Sequence, residues 1–221
     1  MNRLSKNFFS VRLRVSIFVA VFIIFLMWIS FFIEHSLSLN LYRYGLYPRS
    51  MDGLIGILTA PLIHANLKHL YSNSFSLFFL IIFLFYFHPS RAWNVIISSW
   101  VITYFLLWII GREAYHIGAS GIVYALTSFH FFYGIASKNK SLIAISLLIV
   151  FIYGSSIWGM FPTFAYDVSW EAHLSGYITG FILALMQPKL PDDTSTKVSS
   201  GKEIFYYTVD MNIDIKYQEK R

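Results

Sequence analysis

The most constraining feature of this chain is a series of long apolar runs, about twenty residues each, broken by short polar stretches. An α-helix needs about 20 mostly apolar residues to cross a bilayer core, and water offers such a run no solvated face. Six runs reach that length: residues 15–33, 68–87, 93–110, 118–136, 141–160 and 169–187. A seventh, 54–63, is too short to span and contains Pro61; it is expected to lie at the interface or to re-enter. Charge agrees, because only 13 % of the 221 residues are charged while 57 % are hydrophobic, against roughly 25 % charged in a soluble domain. The expected fold is all-α and polytopic: a cytoplasmic N-terminus (1–14), six spans (15–187) and a polar cytoplasmic tail (188–221).

The net charge of +6 does not imply nucleic acid, since the basic residues sit between the runs and at the termini, where they orient a chain in a membrane. Six spans put both termini on one side. That side then carries 13 Lys and Arg residues against four (Arg43, Arg49, Lys68, Arg112), or seven against four without the tail. Both termini are expected in the cytoplasm. The first run follows basic residues, as in a signal peptide, but it is 19 residues long without a clear small-x-small cleavage site; it reads as a retained span. Without cysteine there is no disulfide framework and no Cys-based metal site. In the tail, Ile204, Tyr206 and Thr208, then Met211, Ile213 and Ile215, alternate in part; a strand, a docking segment and disorder all remain open.

Polar groups in hydrocarbon are costly unless partnered, and within spans they tend to mark function. Three clusters stand at the entries to spans two, four and six. The first holds His64, His69 and Asn73, the latter two on one helical face. The second is Gly118-Ala119-Ser120-Gly121, with Tyr124 one turn beyond the serine. The third holds His173, Gly176 and Gly180, and Ala184 extends the row; this small-xxx-small face permits close helix approach. All three spans run from outside to inside, so the clusters converge at one depth just below the outer surface.

A serine beside a histidine is the minimum for nucleophilic acyl transfer. Ser120 is the candidate nucleophile and His173 the candidate base. The small residues Gly118, Ala119 and Gly121 admit a substrate backbone and leave helix-start N–H groups free for an oxyanion, to which His69 and Asn73 can add donors. Alternatively, His69 and Asn73 hydrogen-bond neighbouring helices, and Ser120 is a small residue at a helix contact. Position 122 is Ile, so the nucleophile elbow G-x-S-x-G is absent. Asp167 and Glu171 are candidate orienting acids, although Glu171 is two residues from His173 and on another side of its helix. His35, His88 and His116 lie near span ends and read as interfacial; His130 is too deep for the site.

The ordered set His64-x4-His69-x3-Asn73, Gly118-Ala119-Ser120-Gly121 and Ala172-His173-x2-Gly176-x3-Gly180 resembles the rhomboid family of intramembrane serine proteases. The stretch from Gly45 to Ser50 and on to Pro61 is similar to the first loop of many bacterial members, without the Trp-Arg pair that some carry. The resemblance covers about residues 43–184. It implies a six-helix bundle with a partly embedded first loop and a Ser120–His173 dyad. It also implies an oxyanion hole of His69, Asn73 and the Ser120 N–H, with Tyr124 against the imidazole and His64 structural. Implied substrates are single-span membrane proteins, cut near the outer surface of a bacterial inner membrane, with lipids around the protein and no metal or cofactor. Neither the residues nor the resemblance specifies an oligomeric state. Two other classes compete: a catalytically silent relative that binds membrane segments, whose usual sign is loss of the serine or histidine, and a channel, whose polar residues would continue across the membrane.

Overall fold

The computed structural model describes residues 3–162 and 168–187, with side chains from residue 11 onward. Its elements are helical: α1 (Arg3–Ser36), the short α2 (Gly56–Thr59), α3 (Leu67–Phe87), α4 (Ala92–Ile110), α5 (Ser120–Ala136), α6 (Lys140–Tyr153) and α7 (Trp170–Met186). Helix α1 starts at Arg3, so the basic stretch before the first apolar run is helical too. Arg, Lys and Leu are good helix formers, and neither Gly nor Pro interrupts them. By length and composition α1, α3, α4 and the unit Lys140–Met160 suffice to cross a bilayer. Helices α5 and α7, 17 residues each, sit at the lower limit of that length.

The breaks have local causes. Asn66 caps α3, its side chain accepting the His69 N–H at 2.9 Å, and the helix stops at His88 because Pro89 disfavours α geometry in the residue before it. Gly118, at φ +100°, turns the chain into α5; a Cβ there would strike the His69 imidazole. The fifth run does not stay α-helical throughout. At Gly154 it tightens into a 3-10 segment, Gly154–Met160, where Gly-Ser-Ser replaces aliphatic residues.

Helix α5 is the centre of the bundle and packs most closely on α7. A Cβ on Gly176 would run into the Gly121 carbonyl, and one on Gly180 into that of Ala125, so the small-residue row lets two backbones touch. Ser128 seals the pair by donating to the Tyr177 carbonyl at 2.8 Å. Trp28 ties α1 to α3 through its indole N–H to Ser74 Oγ at 3.0 Å.

The first loop is tied to α4 rather than free. Trp100 Nε1 donates to the Ile57 carbonyl at 2.8 Å and Trp108 Nε1 to that of Ser50 at 2.9 Å. Trp100 lies ten residues inside the end of α4, about 15 Å down its axis. The loop therefore reaches well down the flank of a membrane-length helix, as a partly embedded loop must. These indoles supply packing that the missing Trp-Arg pair does not.

Candidate active site

Ser120 is the first residue of α5 and His173 lies in the first turn of α7. The α5–α7 contact carries them together: His173 Nε2 stands 3.0 Å from Ser120 Oγ. The other ring nitrogen, Nδ1, is 2.8 Å from the backbone carbonyl of Gly159. A carbonyl can only accept, so Nδ1 carries the proton, and in the neutral ring Nε2 is the lone-pair side facing the serine hydroxyl. Tyr124 stacks on the imidazole, with centroids 4.2 Å apart and planes 10° from parallel. Its hydroxyl donates to the Ser156 carbonyl at 2.6 Å. The histidine is thus held by a face, an edge and a helix.

Three donors stand near the turn that leads into Ser120. The Ser120 and Gly121 N–H groups open α5 and have no acceptor among the described residues, as expected at a helix start. Asn73 Nδ2 is buried and equally unpartnered. It lies 3.5 Å from where a Gly118 Cβ would be, and the His69 ring lies closer still. A buried amide without a partner is uncommon and calls for an explanation. Gly118 itself is pinned, its N–H donating to the Ala60 carbonyl at 2.8 Å and its carbonyl accepting from the Tyr104 hydroxyl.

His64 is 2 % exposed and stands edge-on to His69, centroids 5.0 Å apart. Burial, followed by the nearby His69 ring, pushes its pKa down to about 3, so it packs as a neutral ring. Of the candidate acids, Asp167 lies outside the described residues. The Glu171 carboxylate turns away from His173 to Arg112, accepting from its backbone N–H and from Nη1, each at 3.4 Å.

Sequence reasoning missed several features. Gly159 and Ser156 act through backbone carbonyls, which any residue carries, and the one signal was the Gly-rich interruption of a span. His116 and His88, at span ends, are buried within the protein. His116 bridges Ser169 Oγ (2.6 Å) and the Arg112 carbonyl (3.0 Å), and burial holds its pKa below the usual histidine range. His88 packs edge-on to Phe129 and Tyr133. His35, by contrast, is exposed and stacks on Phe31, and His130 is buried with Nε2 3.1 Å from the Leu80 carbonyl. Among the described residues no cluster of His, Cys, Asp or Glu has the arrangement of a metal site.

Comparison with known proteins places this geometry. The Rhomboid domain family matches residues 52–189. An uncharacterized protein of Mycobacterium tuberculosis is 33 % identical over 151 residues, covering 64 % of this chain and 62 % of its own length. One of Mycobacterium leprae is 30 % identical over 161 residues, covering 69 % and 62 %. A protein of Acanthamoeba polyphaga mimivirus that bears the rhomboid name is 29 % identical over 140 residues, covering 61 % and 76 %. The chain thus spans less than two thirds of the mycobacterial proteins. The family match takes in every polar cluster described above and more than half of the chain: this protein belongs to the rhomboid family and is an integral membrane protein.

Proposed function

We propose that the protein is an intramembrane serine endopeptidase that cuts transmembrane segments of other membrane proteins. The observation that carries this reading is the Ser120 Oγ to His173 Nε2 contact of 3.0 Å, with Nδ1 anchored on Gly159. His173 takes the hydroxyl proton as Ser120 Oγ attacks a peptide carbonyl carbon. The oxyanion settles against the Ser120 N–H, Asn73 Nδ2 and His69. As the C–N bond breaks, His173 returns the proton to the leaving amine, leaving an ester on Ser120. Water then attacks that ester with His173 again as base, which releases the acid and restores the serine. No step needs a metal or cofactor.

Tyr124 keeps the imidazole plane fixed through both proton transfers, and Gly118, Gly121, Gly176 and Gly180 allow the backbones to close around the site. Substrates are single-span proteins whose helix unwinds easily at small residues. The excess of basic residues around the termini supports an orientation with both ends in the cytoplasm and the site toward the outer face of a bacterial plasma membrane. A reporter active only in the periplasm, fused after Arg221, will be silent; activity would reverse this orientation. Purified protein in lipid vesicles will cleave a co-reconstituted single-span protein, and Ser120→Ala will not. Equal cleavage by the variant, or none by either, would reject the assignment; binding without cleavage would identify a silent, segment-binding relative.

A further inference from the structure

The segment leading into Ser120 and the segment leading into His173 are joined twice, in the same register. Ser120 meets His173 across a separation of 53 residues, and four residues earlier on each strand of chain His116 meets Ser169 across the same separation. The earlier contact is better anchored than the later one. His116 pairs its backbone N–H and carbonyl with Leu46 of the first loop, at 2.8 and 2.9 Å. Its Nε2–H goes to the Arg112 carbonyl, which leaves Nδ1 to accept the Ser169 hydroxyl at 2.6 Å. Ser169 Oγ in turn accepts the Ala172 N–H at 3.3 Å and caps α7.

A charged contact runs beside it. Glu171, in the first turn of α7 and 2 % exposed, pairs with Arg112, whose Nη2 also donates to the Val168 carbonyl at 2.9 Å. The negative end sits at the helix N-terminus, where the backbone dipoles favour it. Removing the Arg112 charge strands the Glu171 carboxylate in a buried place, whereas the Arg112 side chain is 34 % exposed. Loop 112–119 therefore grips the α7 terminus through a neutral bond and an ion pair, one turn before the reacting atoms.

We propose that this clamp, His116–Ser169 with Arg112–Glu171, is a positioning device that sets the distance between His173 and Ser120. Ser169 and His116 touch no reacting group; they act through the placement of the α7 first turn. The inference rests on the serine protease reading for its kinetic consequence, but its structural consequence does not. Misplacement of about 1 Å at a reacting pair can cost on the order of a hundredfold in rate, so loss of one of the two links should cost less, about tenfold.

The test compares Ser169→Ala, Ser169→Thr and Asn139→Ala with wild type in detergent. Asn139 caps α6 through the Ser141 and Leu142 N–H groups, so its loss removes a helix cap away from the clamp. Ser169→Ala should slow fluorophosphonate labelling and kcat about tenfold with KM unchanged, Ser169→Thr should restore both, and Asn139→Ala should lower the Tm but not the rate. Spin labels at Tyr115→Cys and Val168→Cys, in a chain without native cysteine, read the spacing without chemistry; Ser169→Ala should broaden their distance distribution. A wild-type labelling rate in Ser169→Ala, an equal slowing in Asn139→Ala, or an unchanged distribution would overturn the clamp. If wild type does not label at all, the protease reading fails, and the distance distribution alone decides the clamp.

Discussion

His173 donates its Nδ1–H to the backbone carbonyl of Gly159 at 2.8 Å, where a hydrolase triad would place a carboxylate. A carbonyl fixes the tautomer and orientation as an acid does, but adds no negative charge to stabilise the imidazolium. Orientation then depends on the Gly154–Met160 turn and on the Tyr124 ring. The carbonyl is available because the helix tightens at Gly154, and the close approach needs a glycine, since a Gly159 Cβ would strike the Tyr124 hydroxyl and press on His173 Nδ1 at 3.2 Å.

Removing the ring and removing only its hydroxyl should differ. Tyr124→Phe keeps the stack and loses the bond to Ser156, so kcat should change little while stability falls by about 1 kcal/mol. Tyr124→Ala loses the stack, and aromatic pairs contribute about 0.5–1.5 kcal/mol beyond burial; kcat should fall about tenfold with KM nearly constant. Equal kcat losses in the two variants would show that the hydroxyl, not the stack, holds the imidazole.

Asn73 is buried, and its Nδ2 has no partner among the described residues, a costly arrangement that leaves a donor free for a developing charge. Asn73→Ala should lower kcat by about 10²–10³, the loss typical of one oxyanion donor, and leave KM and thermal stability close to wild type. A large drop in Tm with kcat per folded molecule unchanged would make Asn73 a helix-packing residue instead.

The residues of the site were legible in the sequence because they recur at helical spacing in three spans of one direction. Ser120, Tyr124, His69, Asn73 and His173 each declared themselves as polar or aromatic groups at a span entry. Gly159 did not, since its contribution is a main-chain carbonyl placed by a 3-10 turn. The burial of His116 and His88 was not legible, because position along a span does not reveal what covers a residue laterally. Leu46, Arg112 and Ser169 surround one of them, and Phe129 and Tyr133 the other. Glu171 was legible as a carboxylate but not as the partner of Arg112, 59 residues away on the loop that follows α4. The fold class followed from run lengths alone, while the early start of α1 and the end of α6 at Tyr153 depended on local helix formers and on Gly154.

Two glycines separate packing from backbone freedom. Gly180→Ala drives a Cβ into the Ala125 carbonyl and to within 2.8 Å of Phe129 N, so it should destabilise the protein by about 1–3 kcal/mol, as overpacked cores do. Gly154→Ala meets nothing closer than Val150 at 3.7 Å, in ordinary helical geometry, and should raise stability by about 0.4–1 kcal/mol. Thermal denaturation in detergent checks both; a tolerated Gly180→Ala would mean that α5 and α7 stand farther apart.

Acid should weaken the fold through two neutral histidines outside the helices. Burial lowers both His64 and His88 to about 3, so between there and 6.5 each takes up a proton on unfolding. Stability is therefore complete above pH 6.5 and falls as pH drops toward 3, by up to about 1.4 kcal/mol per pH unit for each group. His64→Leu should flatten that slope between pH 6 and 4. An unchanged slope would assign the acid sensitivity to other groups.

The contact between Ser120 and His173 carries the account, and an active-site label tests it most directly. A fluorophosphonate probe, which reacts only with an activated serine, should label the purified protein at Ser120, with mass spectrometry locating the adduct. His173→Ala should abolish labelling while the protein remains folded. Labelling that persists in Ser120→Ala, or at wild-type rate in His173→Ala, would contradict the dyad.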